Sequence, residues 1–279
     1  MPQRCTASDW LLLRQPKKDS HKGDNGRLLI AAGSSQYHGS LILSILAAVR
    51  FCDLVYVYCG KENKTLVRRL KQATPNIIVL SSSTLSSFLP RTDSILAGPG
   101  WAVDAKNAAL LARLLKTRKP IVLDAGALAI LGGNGRLLPL LHPSCLLTPH
   151  GGEFKKLFGK EAAPRSVLSA AKKTNSVILC KGPIDYISDG SRLCSNRVHH
   201  VGMTKGGTGD VLAGLCGALA AFEAGAKPGP GHGAMFKIAC AAACLNGLAG
   251  LRLSKKMGAH YSSNDLANEL PAAARAIEK

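Results

Sequence analysis

Short apolar segments alternate with helical segments through the first 180 residues, and this alternation constrains the fold more than any other feature of the sequence. Strands that alternate with helices predict a parallel, doubly wound α/β sheet with helices on both faces. The predicted strands cover residues 27–32, 54–59, 77–80, 94–97, 121–123, 145–147 and 177–180, and the predicted helices cover residues 8–14, 41–51, 64–72, 104–116 and 166–174, with one more helix starting near Glu153.

The pattern changes after the last of these strands. Two short β-rich segments separated by Asp189-Gly190-Ser191 predict a hairpin. An Ala-rich helix follows, and Pro271 favours a separate helix start near the end of the chain. These elements are predicted over residues 185–188 and 192–195 for the hairpin, 234–251 for the Ala-rich helix, and 264–270 and 271–277 for two short terminal helices.

The chain shows no internal repeat and no low-complexity linker, so we expect a single domain over residues 1–279. Its longest apolar run, residues 238–251, is interrupted by Asn246 and is too short to span a bilayer. The polar N-terminus lacks the pattern of a signal peptide. We therefore expect a soluble, cytoplasmic protein without a membrane partner.

Glycine and polar residues follow five of the predicted strands. Ligands of parallel sheets bind beyond the carboxyl ends of the strands. Because those ends share one edge of the sheet, we expect the five segments to converge on a nucleotide-sized cleft. The segments are Gly33-Ser34-Ser35, Gly98-Pro99-Gly100, Asp124-Ala125-Gly126, Thr148-Pro149-His150 and Lys181-Gly182.

The segment Gly206-Gly207-Thr208-Gly209-Asp210 comes directly before a predicted helix. Glycines let backbone N–H groups face an anion, and the first turn of a helix carries unpaired N–H groups and a partial positive charge. The segment therefore indicates a phosphate site. A carboxylate there would repel the anion, which favours Asp210 as a base that takes a proton from a hydroxyl attacking the phosphate. The alternative is that Asp210 caps the helix and the glycines form a tight turn.

The formal net charge of the chain is +19, and 5% of its residues are aromatic. A basic surface attracts anions, including nucleotides and nucleic acid. However, there are few rings on which single strands could stack, and no nucleic-acid-binding motif is present. We interpret the charge as a solvated surface around a site for an anionic small molecule, without a nucleic-acid partner.

Nine cysteines occur, none of them in a C-x-x-C pair. Most lie in apolar runs, which indicates small core residues in a reducing compartment and not a disulfide framework or a zinc site. Cys240 and Cys244 share one face of a predicted helix, but no histidine pair accompanies them, so we do not expect a metal site there.

The order of these motifs resembles the dehydratases that repair hydrated NADH and NADPH at the expense of ATP or ADP, a family of the ribokinase-like superfamily. Two segments together carry most of the specificity: Thr148-Pro149-His150-Gly151-Gly152-Glu153 and Gly206-Gly207-Thr208-Gly209-Asp210. The resemblance covers nearly the whole chain. Other matching segments are residues 21–26, 33–34, 37–40, 98–100, 123–128 and 181–182.

The resemblance implies a role for each candidate residue. Asp210 would be the catalytic base, which helps the C6 hydroxyl of the hydrated nicotinamide attack the terminal phosphate of the nucleotide. Ser40, Gly100 and His150, together with Asp210, would contact the hydrated dinucleotide. Glu153 would lie near the phosphates and act through Mg²⁺. ATP or ADP would be bound by Lys181, Gly182, Pro183, Ile184, Asp185, Gly206, Gly207, Thr208 and Gly209.

The chain departs from the family pattern at Asp185, where the family usually has threonine. A carboxylate near adenosine or phosphate weakens nucleotide binding unless a basic group lies beside it. The epimerase domain that is fused to many relatives is not present, so we expect the dehydratase alone. The resemblance also implies a homo-oligomer, a tetramer. The sequence leaves open whether ATP or ADP is the donor and whether NADH hydrate or NADPH hydrate is preferred.

Two other hypotheses remain open at this point. A small-molecule kinase of the same superfamily, acting on a hydroxyethylthiazole, a pyrimidine or a sugar alcohol, would use the same Asp210 but would keep its phosphorylated product. The net charge also allows a non-enzymatic binder of nucleotides or nucleic acid.

Overall fold

The computed structural model describes residues 2–225 and 232–278, which form a ten-stranded sheet with helices on both faces. The predicted α/β class is confirmed. The strands, numbered along the chain, are β1 (Gln3–Arg4), β2 (Arg27–Ala31), β3 (Leu54–Tyr58), β4 (Ile77–Leu80), β5 (Ser94–Ala97), β6 (Ile121–Leu123), β7 (Cys145–Leu147), β8 (Val177–Cys180), β9 (Asp185–Ser188) and β10 (Leu193–Asn196).

The strands lie side by side in the order β1-β10-β9-β8-β7-β6-β5-β2-β3-β4. Strands β2 to β8 are parallel to their neighbours within this set. Strand β9 is antiparallel to both β8 and β10, as the predicted hairpin requires. From β2 to β4 the strands are added toward one edge of the sheet, and from β5 to β8 they are added toward the other edge, so the order reverses between β2 and β5. Sheets of this kind bind ligands beyond the strand ends at such a reversal.

Helices fill the connections between the parallel strands, because a crossover between parallel neighbours needs a long connection. The helices in the described residues are α1 (Ser8–Leu11), α2 (His38–Ala48), α3 (Lys61–Ala73), α4 (Ser82–Phe88), α5 (Ala105–Lys116), α6 (Gly126–Gly133), α7 (Gly151–Phe158), α8 (Pro164–Thr174), α9 (Thr208–Gly225), α10 (His232–Met257) and α11 (Ser263–Ile277).

Successive side chains of β2 pack into two separate cores, one on each face of the sheet. Leu28 and Ile30 lie in the core formed with α2, α9, α10 and α11. Leu29 and Ala31 lie in the core formed with α5, α6, α7 and α8. All four side chains are almost completely buried. This explains why the strand is continuously apolar, as expected for a central strand of a parallel sheet.

The C-terminal segment differs from its prediction. It forms one helix, α11, which runs through Pro271, and the expectation of two short helices was wrong. The buried face of α11 continues across the proline, with Leu266 and Leu270 before it and Ala273 and Ala274 after it. Packing of this apolar face outweighs the one backbone hydrogen bond that proline cannot donate.

Helix α10 is the one helix in the described parts of the chain that is long and apolar enough to cross a membrane by composition, over Gly233–Met257. However, 78% of its most apolar window is buried inside the fold. The helix therefore has the surroundings of a core helix.

Candidate active site

A series of backbone hydrogen bonds joins the five glycine-rich and polar segments that follow the strands. Each segment bonds to the strand end or the segment beside it, so the predicted convergence is found in the structure. The bonds, from nitrogen to oxygen, run from Gly33 to Pro99 (2.8 Å), Gly98 to Ala31 (3.1 Å), Asp124 to Ala97 (3.1 Å), Gly126 to Gly98 (3.2 Å), Thr148 to Leu123 (3.0 Å) and Lys181 to Pro149 (2.8 Å).

Above these strand ends lies a cavity of about 590 Å³, within the size range of small-molecule and cofactor sites. The residues predicted to bind the dinucleotide, Ser40, Gly100 and His150, all line it, and so does Glu153. Its other lining residues are Tyr37, Trp101, Val103, Ala125, Gly126, Leu128, Ala129, Gly132, Gly133, Lys156 and Leu157.

Gly100 lines this cavity and allows two segments of its wall to pack closely. Its φ is +67°, in the left-handed region that favours glycine. A Cβ atom at this position would lie 2.3 Å from the carbonyl oxygen of Tyr37 and 3.1 Å from the Cβ of Ser40. The start of α2, where Ser40 lies, can therefore pack directly on the main chain of residue 100.

One close packing contact and two hydrogen bonds fix the position of the loop at residues 206–209. Gly207 has a φ of +93°, and a Cβ atom there would lie 2.3 Å from Leu43. The Ser263 hydroxyl donates a hydrogen bond to the carbonyl of Gly206. The Thr208 hydroxyl donates to the carbonyl of Met203 at 2.7 Å. Helix α9 begins at Thr208, whose N–H donates to the Lys205 carbonyl at 3.4 Å, and the next two N–H groups, of Gly209 and Asp210, lie in the segment that was predicted to bind phosphate.

Asp210 lies in the first turn of α9 and faces Ser40 of α2, whose hydroxyl hydrogen-bonds its carboxylate. The two helices pack very closely here. A Cβ atom on Gly214 would lie 2.3 Å from the carbonyl oxygen of Ser44, and the Ser44 hydroxyl donates to the Asp210 carbonyl at 3.2 Å. The glycine at position 214 thus lets the candidate base lie next to a candidate substrate ligand.

The environment of Asp210 favours the protonated form of its carboxyl group. Burial is the largest cause, and the nearby negative charge of Asp124 adds to it, so that the pKa of Asp210 is raised to about 6. The Ser40 hydrogen bond and the Lys181 ammonium act in the opposite direction. A carboxylate whose pKa lies closer to neutral is better matched to accept a proton in a reaction near pH 7.

Asp124 forms the centre of a buried polar network behind Asp210. Its Oδ1 accepts hydrogen bonds from the Lys181 ammonium at 2.7 Å and from the Thr148 hydroxyl at 2.8 Å. The Asp124 side chain is 3% exposed. Burial is the largest single effect and opposes the charged form of Lys181, but the charge and hydrogen bond of Asp124, together with the charges of Glu153 and Asp210, raise the pKa of Lys181. Lys181 is therefore a fixed cation.

The ammonium of Lys181 also lies at the start of α9, since a Cβ atom on Gly209 would be 3.2 Å from its Nζ. The positive charge of this lysine thus adds to the partial positive charge of the helix N-terminus. Both lie at the loop predicted to hold the phosphates.

His150 is the N-cap of α7. Its ring Nδ1 accepts hydrogen bonds from the main-chain N–H groups of Gly152 (3.0 Å) and Glu153 (3.2 Å). In return, the Glu153 carboxylate accepts from the main-chain N–H of His150 at 2.8 Å. Because Nδ1 accepts, the neutral ring carries its proton on Nε2. His150 is thus both a helix cap and a lining residue whose Nε2–H group can donate to a ligand.

The carboxylate of Asp185 is held by two donors. Its Oδ1 accepts from the Gly182 N–H at 3.0 Å, and its Oδ2 accepts from the Asn196 amide at 3.0 Å. Burial, the largest effect, raises the pKa of Asp185, while these hydrogen bonds and the nearby His199 oppose that rise. The carboxylate that replaces the usual threonine therefore also closes the turn through Pro183 and Ile184.

Oxygen ligands suited to Mg²⁺ are present at and beside the cavity, because Glu153 lines it and both Asp124 and Glu153 lie near enough to raise the pKa of Asp210. Asp124 is engaged by Lys181 and Thr148, and Oε2 of Glu153 accepts from the His150 main-chain N–H and lies 3.6 Å from His150 Nε2. Across residues 2–225 and 232–278, these carboxylates do not form a preformed metal cluster. The three carboxylates fit a magnesium ion that is held mainly by nucleotide phosphates. Glu153 Oε1 is then the side-chain oxygen that could approach the ion.

Comparison with known proteins decides the family. Residues 28–272 match the family described as NAD(P)H-hydrate dehydratase. The chain belongs to the NAD(P)H-hydrate dehydratase family. The ADP-dependent (S)-NAD(P)H-hydrate dehydratase of Nitrosopumilus maritimus is 38% identical over 94% of this chain and 93% of its own length. The protein of the same name from Cenarchaeum symbiosum is 36% identical over the same shares.

A solved structure of the ADP/ATP-dependent NAD(P)H-hydrate dehydratase of Bacillus subtilis, co-crystallised with ATP and Mg²⁺, has a TM-score of 0.81. It is 21% identical and is covered over 99% of both chains, which supports the fold alone. The predicted family and fold are confirmed, and within the NAD(P)H-hydrate dehydratase family the kinase hypothesis is the weaker one. The roles of individual residues remain predictions.

Sequence reasoning left one feature of this family member unrecognised. Ala125, directly after Asp124, has a φ of +45° and a ψ of −112°, a rare conformation for a residue with a side chain. Such strained residues cluster at functional sites. Because glycine follows directly at position 126, the sequence gave no sign that the strained conformation falls on Ala125.

Proposed function

We propose that this chain restores NADH or NADPH from the hydrated forms by phosphorylating the C6 hydroxyl, which then leaves as phosphate. One observation carries the proposal. The carboxylate of Asp210, with its pKa raised to about 6, lies in the first turn of α9 beside the glycine-rich loop and interacts with Ser40, which lines the cavity together with Gly100 and His150. The family membership supplies the substrate class.

In the proposed reaction, Asp210 accepts the proton of the C6 hydroxyl as the hydroxyl oxygen attacks the terminal phosphorus of the nucleotide. The bond from that phosphorus to the nucleotide breaks. The lone pair of the ring nitrogen then expels phosphate from C6, and loss of a proton from C5 to water restores the ring double bond. The products are NAD(P)H, phosphate and the shortened nucleotide.

We assign the phosphates to the N–H groups of residues 206–209 and to Lys181. Donors that are already in place stabilise developing charge without having to reorganise during the reaction. Residues 182–185 would hold the nucleoside part, with the Asp185 carboxylate balanced by Asn196 and His199. Magnesium, held by phosphates near Glu153, would neutralise phosphate charge when bound.

The cellular setting forms part of the proposal. All nine cysteines are free and buried, which is consistent with a reducing, cytoplasmic compartment. The expected homotetramer remains a prediction, which light scattering on the purified chain tests.

The activity test uses hydrated NADH or NADPH, Mg²⁺ and either ATP or ADP, with recovery of the near-ultraviolet absorbance of reduced nicotinamide as the readout. We expect recovery that requires nucleotide and is lost in Asp210→Asn. The rates of the four combinations of nucleotide and hydrate then show which nucleotide and which hydrate the protein prefers. Failure of all four combinations would overturn the proposal. Nucleotide consumption with alcohol substrates would then support the kinase alternative.

A further inference from the structure

Three thiols from separate elements converge at the edge of the sheet, away from the dinucleotide cavity. Cys5 follows β1, Cys194 lies in β10, and Cys240 lies in α10. Their sulfur atoms all lie within 4.8 Å of one another. The three residues are 1% to 5% exposed. They are the one group of three or more potential metal ligands that the described residues bring this close together.

The register of the edge strands explains the convergence. Strand β1 pairs in parallel with β10, so that Gln3 lies opposite Cys194. The Cys5 N–H donates to the carbonyl of Ser195 at 2.9 Å, which extends this pairing. Cys240 is contributed by the helix that packs beneath. The sequence-based interpretation of Cys240 as a core cysteine without a metal site could not include two partners so distant in the chain.

The chemistry of the cluster suits a soft metal ion. Sulfur ligands select ions such as Cu(I) and Zn²⁺ over hard cations. The sulfur atoms lie within 4.8 Å of one another, so that a single ion placed among them could contact all three.

We propose that Cys5, Cys194 and Cys240 form a three-sulfur site for one soft, thiophilic metal ion, with Cu(I) favoured over Zn²⁺. Structural zinc sites are almost always four-coordinate, whereas three sulfur ligands are what the described residues supply. Binding replaces the thiol protons, which are released to solvent.

The site would fix the hairpin that borders the proposed nucleotide segment. Cys194 and Asn196 are two residues apart in β10 and share one face of the strand. The Asn196 amide donates to the Asp185 carboxylate at 3.0 Å and to the carbonyl of Ala243 in α10 at 3.1 Å. A metal joining β1 and β10 to α10 would therefore hold the Asp185 segment against the same helix.

The test uses the reduced full chain under anaerobic conditions, titrated separately with Cu(I) and Zn²⁺ against a colorimetric chelator. We expect one equivalent of Cu(I) per chain, bound at least about tenfold more tightly than Zn²⁺, and a rise in the unfolding temperature. Cys5→Ser should lose both effects. Cys244→Ser is the matched control, because it removes a buried thiol one turn along α10 from Cys240, and it should keep both.

X-ray absorption of the copper-loaded wild type provides a readout that does not depend on a variant folding. We expect a first shell of sulfur ligands alone. Nitrogen or oxygen ligands, no uptake of either ion, or equal uptake by wild type and Cys5→Ser would each overturn the proposal. Tighter binding of Zn²⁺ with the same dependence on Cys5 would support the site and overturn the preference for copper.

Discussion

The Lys181 ammonium lies 2.7 Å from the Asp124 carboxylate, and this pair lies between the strand ends and the candidate base. The two charges affect Asp210 in opposite directions, since Asp124 raises the pKa of Asp210 and Lys181 lowers it. Neither partner could be replaced without changing both the stability of the fold and the ionisation of Asp210.

The first prediction concerns Asp124→Asn. Loss of the Asp124 charge should lower the pKa of Asp210, so the acidic limb of kcat/KM against pH should move to lower pH than in the wild type. A buried cation left without its partner should also reduce the free energy of unfolding by about 3–5 kcal/mol, as measured by denaturant titration. Glu161→Gln, which removes the partner of the exposed Lys155, is the control and should change neither quantity. An unmoved acidic limb would show that Asp124 has no electrostatic effect on the base.

The second prediction concerns Asp210 itself. A base must be ionised to accept a proton, so with its pKa raised to about 6, activity should fall as the pH is lowered through about 6. Asp210→Asn should reduce kcat by about 10²–10⁴-fold, the usual contribution of a general base. A wild-type acidic limb near pH 4 would contradict the assignment.

The same raised pKa predicts a stability effect of Asp210. The folded state keeps a proton that the unfolded state releases above about pH 4. The contribution of Asp210 to stability is therefore most favourable below pH 4 and is lost as the pH rises through about 6. Thermal unfolding should show Asp210→Asn gaining stability relative to wild type at pH 7.5 but not at pH 4. A variant that is less stable at pH 7.5 would argue against a strained, buried carboxylate.

The third prediction concerns Gly100, which lines the cavity. Gly100→Ala introduces a methyl group 2.3 Å from the Tyr37 carbonyl at a positive φ, so it should displace the start of α2 and lower kcat/KM for the hydrate by about 10- to 100-fold. Gly133→Ala is the matched control, because Gly133 lines the same cavity and a methyl group there contacts nothing within 4 Å. Equal losses in both variants would show that the fit at residue 100 is unimportant.

The fourth prediction concerns the departure from the family pattern. Asp185→Thr removes a carboxylate near the proposed nucleotide site while keeping an oxygen that can accept from the Gly182 N–H group. We expect the KM for the nucleotide to fall by about fivefold, corresponding to about 1 kcal/mol for one partly exposed charge. The KM for the hydrate should stay unchanged. A nucleotide KM that rises would mean that Asp185 contributes to binding.

Much of the fold could be predicted because its signals are local. The strands at residues 77–80, 94–97 and 121–123 have the predicted bounds, since each is a short apolar run ended by polar residues or glycine. Helix α4 was missed because serine and threonine favour it little, and it depends on a capping box between Ser81 and Thr84. Helix α6 was missed because its exposed positions are alanine and glycine, so that it has no polar face.

The residues of the candidate site could be proposed from the sequence, but the contacts between them could not. The family resemblance indicated Asp210, Ser40, Gly100 and His150; the last three line one cavity, and Ser40 also interacts with Asp210. The ion pair of Lys181 with Asp124 joins residues 57 positions apart, and no local pattern reports such a contact. The thiol cluster depends in the same way on the pairing of β1 with β10, and a strand of two residues carries no periodicity.

The contact between Gly214 and Ser44 has a consequence for how this enzyme can change over evolutionary time. The spacing between α2 and α9, and with it the placement of Asp210 beside Ser40, is set by main-chain atoms of Ser44. Main-chain positions are little affected when surrounding core side chains are exchanged for others of similar volume. Core side chains can therefore be exchanged widely while Asp210 keeps its position. One added methyl group at residue 214, in contrast, would separate α2 from α9.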